Sequence, residues 1–343
     1  MMYAIRPRVG QAVARVRRRF AVRGAILLYH RIARVAIDPW GLCATPENFD
    51  AQLQLLCKQY HVLPLADMVA AFQCGMLPRR AVAITFDDGY ADNHHVARPL
   101  LEKYGLPATF FIATGYIGQR REFWWDELER AVLRPGTLPA KLALEIGNTR
   151  FERKLGPAAR FSPGDAQQLR QAKPWEADPA TRIGFFYSLW QQLYPLSHTQ
   201  RQPILAQIAA WAGTDPGARP DYCAMTVAEL QDFARSPVVT IGGHTVTHPA
   251  LAAHDPSVQQ TEIQAGIDTL TALLQRPVQL FSYPHGDYSP ATVELVRGAG
   301  STAACTVEAE PVWRGSNAWR LPRFGVEDWP QAEFAVRLAR WLQ

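Results

Sequence analysis

Apolar residues in this chain gather into short continuous runs, separated by stretches in which they recur every three or four positions. The runs cover 25–29, 81–86, 108–113, 238–241, 278–283 and 302–307. Each has strand length, and unbroken apolar character predicts burial on both faces. The stretches 49–60, 91–104, 257–274 and 290–299 have helical spacing instead. Buried strands alternating with helices predict a parallel sheet covered by helices, and their repetition suits a barrel. The pattern breaks over 118–222. That stretch opens with Trp124-Trp125-Asp126-Glu127 and carries prolines at 135, 139, 157, 163, 174 and 179 before helical spacing returns at 180–194 and 203–211. It reads as a mostly helical insertion on the barrel rim. The expected organisation is a basic N-terminal helix over 1–24, a first part of the barrel over 25–117, a helical insertion or lid over 118–222, and a second part of the barrel over 223–343.

Composition narrows the class. The chain has 343 residues, 48% apolar and 20% charged, the profile of a soluble globular protein. The net charge of +5 is too modest to argue for nucleic-acid binding, and much of the excess lies in Arg15, Arg17, Arg18 and Arg19. Val9, Val13, Val16 and Phe20 fall at helical spacing among those arginines. This predicts either a helix on a membrane surface or one lying on the domain edge. No run approaches the roughly 20 apolar residues that span a bilayer, and no secretory leader is read. Five cysteines, Cys43, Cys57, Cys74, Cys223 and Cys305, are an odd number without C-x-x-C spacing, which argues against a disulfide framework. A cytoplasmic location is expected, with contact at the inner membrane face open to the basic helix. The oligomeric state is not legible.

The chemistry-bearing residues follow the apolar runs directly. Thr85-Phe86-Asp87-Asp88-Gly89-Tyr90 ends one run, and His244-Thr245-Val246-Thr247-His248 follows another. One aspartate and two histidines suit a divalent metal with a position left for water. The second aspartate is then a candidate base. The plain alternatives are an Asp-Gly turn with solvated carboxylates and surface histidines at a helix start. In a parallel barrel both segments reach the rim at the C-terminal ends of strands, where active sites collect. Imidazole and carboxylate ligands suit zinc by default, with cobalt, nickel or manganese also compatible.

The two segments in this order resemble the polysaccharide deacetylases of the NodB-homology type, carbohydrate esterase family four. Phe281-Ser282-Tyr283-Pro284-His285-Gly286 resembles that family's next motif. The resemblance covers roughly 25–115 and 225–330 and implies an irregular (β/α)7-type barrel. It implies Asp88, His244 and His248 as metal ligands, Asp87 as general base, and the Tyr90 backbone N–H as a donor to the oxyanion. Tyr283, Pro284, His285 and Gly286 are read as shaping the wall of the substrate groove, with His285 either a substrate contact or a plain rim histidine.

Two positions depart from the commoner pattern. Many members take a general acid from a late Leu-x-His motif, but the last histidine here is His285. A subset that includes biofilm poly-N-acetylglucosamine deacetylases has an early Tyr-His after a strand, similar to Tyr29-His30. His30 is therefore the candidate acid; a barrel-end histidine satisfied by structural hydrogen bonds is the rival reading. The commoner third motif also has an arginine where this chain has Ser282. Arg323 is a candidate to orient Asp87 from another strand, against a structural or sugar-binding role. His94-His95 follows the Asp-Asp-Gly turn in an expected helix and is read as pointing away from the rim. Among the tryptophans core burial is the better reading, with one or two lining the groove.

The resulting expectation is a metal-dependent hydrolase that removes N-acetyl groups from an amino sugar in a polysaccharide, oligosaccharide, or lipid- or nucleotide-linked precursor. The alternatives are an O-acetyl esterase or N-deformylase on the same scaffold, or a non-catalytic carbohydrate-binding relative.

Overall fold

The computed structural model describes residues 22–147, 149–168, 173–215 and 217–343. The helix expected over 1–24, and with it the membrane-surface reading, falls outside these residues up to position 21; Gly24 already begins the first strand.

In chain order the main elements are β1 (Gly24–Tyr29), α1 (Pro46–Gln59), α2 (Leu65–Cys74), β2 (Ala81–Phe86), α3 (Arg98–Tyr104), β3 (Ala108–Ile112) and α4 (Trp124–Val132). Then come β4 (Lys141–Ile146), β5 (Thr149–Lys154), α5 (Arg182–Leu193), α6 (His198–Ala212), α7 (Val227–Phe233) and β6 (Val239–Gly243). The chain ends with α8 (Pro256–Leu274), β7 (Leu280–Ser282), α9 (Pro290–Gly298), β8 (Ala303–Cys305), β9 (Phe324–Gly325) and α10 (Gln331–Trp341). The central sheet runs β8-β7-β6-β3-β2-β1-β9, with the short strand His61–Val62 also paired to β2. Every pairing in it is parallel. It curves into a half-barrel whose two edges are tied by a parallel bridge between Cys305 and Leu321, with Thr306 N–H donating to Leu321 O at 2.8 Å.

The strands form where the apolar runs predict. β1, β2 and β3 are buried at every position, because helices cover one face and barrel side chains fill the other. Phe86 stacks between Tyr29 (5.2 Å) and Phe110 (4.6 Å), each ring contributing about 1.5–3 kcal/mol by leaving water. Local signals set the helix ends. Thr45 caps α1 by accepting the Asn48 N–H, and Pro46 occupies the first turn, where its missing N–H costs nothing. Ser289 caps α9 in a reciprocal capping box with Thr292.

Two registers place the site. Tyr29 pairs with Phe86, so His30 and Asp87 leave adjacent strands at one level. Gly243 pairs with both Ile112 and Phe281, so His244 and Ser282 emerge side by side.

The stretch 118–222 is less helical than its sequence suggests. Beside α4, α5 and α6 it contains an antiparallel hairpin, β4 with β5. In β4 Leu142 and Leu144 turn inward while Lys141, Ala143 and Glu145 face solvent. This period-two pattern defines a half-buried strand. Trp124, Phe185, Phe186, Leu189 and Ile208 of this stretch share one continuous core with Phe86 and Phe110 of the barrel. All five cysteines are free thiols. Among the described residues no helix is long and apolar enough to cross a membrane.

Candidate active site

Asp87 and Asp88 follow β2 immediately. Asp88 takes a left-handed backbone (φ 76) and Gly89 another (φ 91). Gly89 is required twice over, since an added Cβ would be strained by that φ and would meet Ile112 Cδ1 at 3.0 Å. The reversal turns both carboxylates inward, and both are buried.

Asp88 Oδ1 lies 3.3 Å from His248 Nε2 and 3.6 Å from His244 Nε2. His244 Nδ1–H donates to Ser282 O at 2.7 Å, which fixes the tautomer and leaves the Nε2 lone pair aimed at Asp88. Burial pushes both imidazoles below their ordinary value, His248 well below it, helped there by the neighbouring His285 and His244. The contacts to Asp88 are therefore made by neutral rings, not by imidazolium ions. Burial and the adjacent Asp87 charge push the Asp88 carboxyl well up, against weaker relief from Arg323 and Arg31. One buried carboxylate lacking a close cation, with two neutral imidazoles converging on it, is a donor set that fits a divalent metal ion.

The loop carrying the histidines is clamped from outside. Glu262 of α8 accepts the Val246 N–H (2.9 Å), the Thr247 N–H (2.8 Å) and the Thr247 hydroxyl (2.6 Å). Thr245 Oγ1 accepts the His248 N–H at 3.1 Å. The two threonines thus hold the loop itself and do not touch the ligand rings. Gly266 lets α8 approach, since a Cβ there would meet the Thr245 backbone at 2.9 Å. Glu262 is absent from the sequence-based site: a glutamate in mid-helix gives no local signal of a partner loop.

Asp87 is held by Arg323. Its oxygens accept Nη1–H and Nη2–H at 2.7 Å each, a bidentate pair with both partners buried. Ser282 Oγ accepts from Arg323 Nη2 at 2.8 Å and donates to Asp87 Oδ2 at 3.1 Å. Arg323 Nε–H donates to Thr306 O at 2.8 Å, and Nη1 reaches Thr85 Oγ1 at 3.2 Å. Burial alone would raise the Asp87 carboxyl; the Arg323 charge, with His244 and the Arg323 hydrogen bonds, overrides it and brings it down to about 2. The guanidinium thus arrives from the chain just before β9, and Ser282 fills the space beside it.

His30 is half-buried, level with Asp87. Its carbonyl accepts from Asn93 Nδ2 at 2.8 Å. Burial, opposed by Asp87 and aided by Arg323 and His244, brings its imidazole down to about 4. The bridge between Tyr90 and Ala224 is made by neighbouring groups, Ala91 N–H to Cys223 O and Met225 N–H to Gly89 O. The Tyr90 N–H therefore stays out of that ladder.

The expected groove wall needs correction. Tyr283 is fully buried, its hydroxyl donates to Trp319 O at 3.0 Å, and its ring stacks on Tyr288. Pro284 is buried too. Gly286 (φ 68) backs onto Val307, which an added Cβ would meet at 2.3 Å. Strand alternation is the reason: Ser282 faces the barrel interior, so Phe281 and Tyr283 face the covering helices. Of the four residues only His285 turns to the Asp88-His244-His248 group. It adopts a left-handed backbone (φ 58) and packs its ring edge-on against His248 at 4.3 Å.

Aromatic side chains of the insertion cover this centre. Trp125 lies 4.7 Å from His248, and Tyr194 lies 4.9 Å from His285. Trp190 packs on Tyr194 (4.6 Å) and on Trp40 (5.0 Å), and Trp40 stacks with the exposed Trp175. A cavity of about 1130 Å³ is lined by other residues, among them Arg31, His95 and Glu229.

The polysaccharide deacetylase family model matches residues 75–137 and 207–304. These stretches contain the Asp87-Asp88 turn, the His244–His248 loop and the His285 segment in order. Over these two stretches the chain matches the polysaccharide deacetylase family. The stretch between the two matched segments, 138–206, contributes Trp175, Trp190 and Tyr194 to the aromatic cover and is outside the family pattern. A Staphylococcus aureus poly-beta-1,6-N-acetyl-D-glucosamine N-deacetylase is 32% identical over 88 residues, 25% of this chain and 30% of its own length. A Bacillus subtilis relative, YxkH, is 32% identical over 106 residues, 30% of this chain and 37% of its own length. The matches thus span about a third of these curated relatives. Among solved structures, IcaB from Ammonifex degensii shares the fold with a TM-score of 0.56 at 17% identity, covering 94% of this chain and 97% of that one. The Streptococcus pyogenes deacetylase PplD does so at 0.54 and 19%, covering 94% and 99%.

Proposed function

We propose that this chain is a metal-dependent N-deacetylase that hydrolyses the acetamide of an N-acetylated amino sugar within an oligo- or polysaccharide. The observation that carries the reading is a buried, arginine-held carboxylate, Asp87, beside the Asp88-His244-His248 donor set. Those three residues would hold one divalent ion, zinc by default, which when bound supplies Lewis-acid polarisation of a carbonyl and lowers the pKa of water.

The chain's own residues divide the remaining work. Asp87 is ionised at any working pH because Arg323 holds it so, and it orients the attacking water and accepts its proton. The Tyr90 N–H donates to the oxygen that gains charge as the carbonyl carbon becomes tetrahedral. His30, level with Asp87, is neutral in the resting site; it takes over the proton that Asp87 has accepted and delivers it to the departing nitrogen, so both side chains end as they began. Asp87 and His30 are both weak proton holders, so a proton taken from water passes readily to the far more basic amine. One water is consumed, the C–N bond breaks, and acetate and a free amine are released.

The aromatic cover supports a sugar substrate, since pyranose C–H faces stack on indole and phenol rings. The 32% identity to a poly-N-acetylglucosamine deacetylase supports a β-linked glucosamine polymer. The test is to follow acetate and new primary amine together, on N-acetylated glucosamine oligomers and on O-acetylated sugars. Equal yields of both products from the N-acetylated oligomers support the reading. Acetate without amine, from the O-acetylated sugars alone, would make the chain an esterase.

A further inference from the structure

A second group of metal-ligating side chains lies away from Asp88-His244-His248. The five residues Asn93–Ala97 form a π-turn leading into α3. Pro99 explains it: this residue has no N–H for the His95 carbonyl, and its ring crowds that carbonyl. The helix widens by one residue, and the Arg98 N–H reaches back to Asn93 O. Such single-turn bulges collect at functional sites.

The widened turn sets His94 against His95 in an unusual way. His94 Nε2 contacts Asp232 Oδ2 at 3.0 Å, and His95 Nε2 contacts Glu229 Oε1 at 2.8 Å. Both carboxylates belong to α7. Asp232 also binds Arg98 at 2.7 Å, and Glu229 Oε2 is fixed by the Thr226 N–H and hydroxyl. Carboxylates accept only, so each Nε2 carries the hydrogen. The Nδ1 atoms of two neutral rings are then bare, yet they face each other at 3.2 Å. Two lone pairs at that distance repel unless an electrophile lies between them. A shared proton would satisfy them, and so would a metal ion. Two nitrogens on one tetrahedral zinc, bonded at about 2.0–2.1 Å, stand about 3.3 Å apart. Carboxylates on the outer nitrogens are the usual support for metal-binding imidazoles.

We propose that the Nδ1 atoms of His94 and His95, their outer nitrogens held by Asp232 and Glu229, form a second divalent-metal site for a first-row ion such as zinc, nickel or cobalt. One ligand atom from each of His94, His95 and Glu229 falls within 4.8 Å of the others. The imidazoles come from one turn and the carboxylates from one helix, so the site is held by two packed elements. His95 and Glu229 also line the cavity of about 1130 Å³, which gives an ion its path of entry. The same turn reaches the catalytic side, because Asn93 binds the His30 carbonyl. The proposal does not depend on the deacetylase reading.

The test counts metal in the chelator-stripped full chain after equilibration with micromolar free zinc. Wild type is compared with His95→Gln, with the double variant His94→Gln/His95→Gln, and with His248→Ala. The double variant is expected to bind one equivalent less than wild type, while His248→Ala still binds zinc. Cobalt-loaded His248→Ala is expected to show visible d–d absorption that adding the two glutamines removes. Thermal melts report whether each variant is folded, and the single His95→Gln variant, at an exposed position, covers a misfolded double variant by its weakened binding. Equal metal content in wild type and the folded histidine variants would overturn the proposal and leave a shared proton between the rings.

Discussion

Arg323 grips Asp87 with two hydrogen bonds of 2.7 Å, from a position far downstream in the chain, and both side chains are buried. Where a buried pair loses one member, the other is left as an uncompensated charge, at a cost of about 3–5 kcal/mol. Arg323→Ala is therefore expected to lower stability by that order and to cut kcat sharply in whatever fraction folds. Arg323→Lys keeps the charge but loses the fork, so it should retain more stability than kcat. Denaturant melts alongside kcat measure both. A folded Arg323→Ala protein with an unchanged kcat would remove Arg323 from the account.

Glu262 holds the His244–His248 loop by three hydrogen bonds, all to Val246 and Thr247 and none to a histidine ring. Glu262→Gln keeps the shape but weakens the acceptors. Outer partners of metal sites typically carry about 10–100-fold in affinity. Zinc affinity by competition with a chelator should fall by that range, with rescue of activity at excess zinc. Loss of activity that zinc does not rescue would assign Glu262 a different role.

Asp126 offers a pH signature. Its carboxyl accepts from the Tyr90 hydroxyl at 2.6 Å. Burial raises it from 3.8 to about 7, against the lowering effects of Arg31 and the Tyr90 bond. The folded state then holds a proton that the unfolded state has released, so this group's stabilisation is complete below its unfolded value and is lost as pH rises through about 7. Between those limits its slope approaches about 1.4 kcal/mol per pH unit. Asp126→Asn stays neutral and keeps an acceptor for Tyr90. Its stability should show a flatter decline from pH 4 to pH 7. Parallel pH–stability curves for variant and wild type would show that Asp126 is ionised in the fold.

The aromatic cover predicts dependence on substrate length. Trp175 is exposed and stacks at the outer end of the cluster. Trp175→Ala should raise KM for long oligomers about fivefold, in line with roughly 1 kcal/mol for an aromatic contact, and leave disaccharides unaffected. Equal KM changes for both lengths would place the polymer elsewhere.

Much of the barrel was legible because its strands are buried on both faces and stand out as apolar runs; β2, β3 and β6 lie where those runs are. The convergence of Asp88, His244 and His248 was legible because side chains at the ends of such runs meet on one rim. The hairpin β4–β5 was not, since Leu142 and Leu144 alternate over too few positions to outweigh the helical spacing around them. Tyr283 was misplaced because a rim motif was read as one surface, while strand alternation sends Ser282 and Tyr283 to opposite sides. Glu262 and Asp126 act through contacts between distant segments, which no local spacing encodes. The His94–His95 pair was placed in a plain helix, and only the π-turn imposed by Pro99 brings its Nδ1 atoms face to face.

The most direct test of the central claim is acetate release from N-acetylated glucosamine oligomers by zinc-loaded protein, compared with Asp87→Asn and His248→Ala after each is shown to fold. Wild type is expected to release acetate matched by free amine, Asp87→Asn to bind zinc but lose turnover, and His248→Ala to lose zinc from the Asp88-His244-His248 site. Turnover by Asp87→Asn at the wild-type rate, or no acetate from wild type with that site full, would contradict that claim.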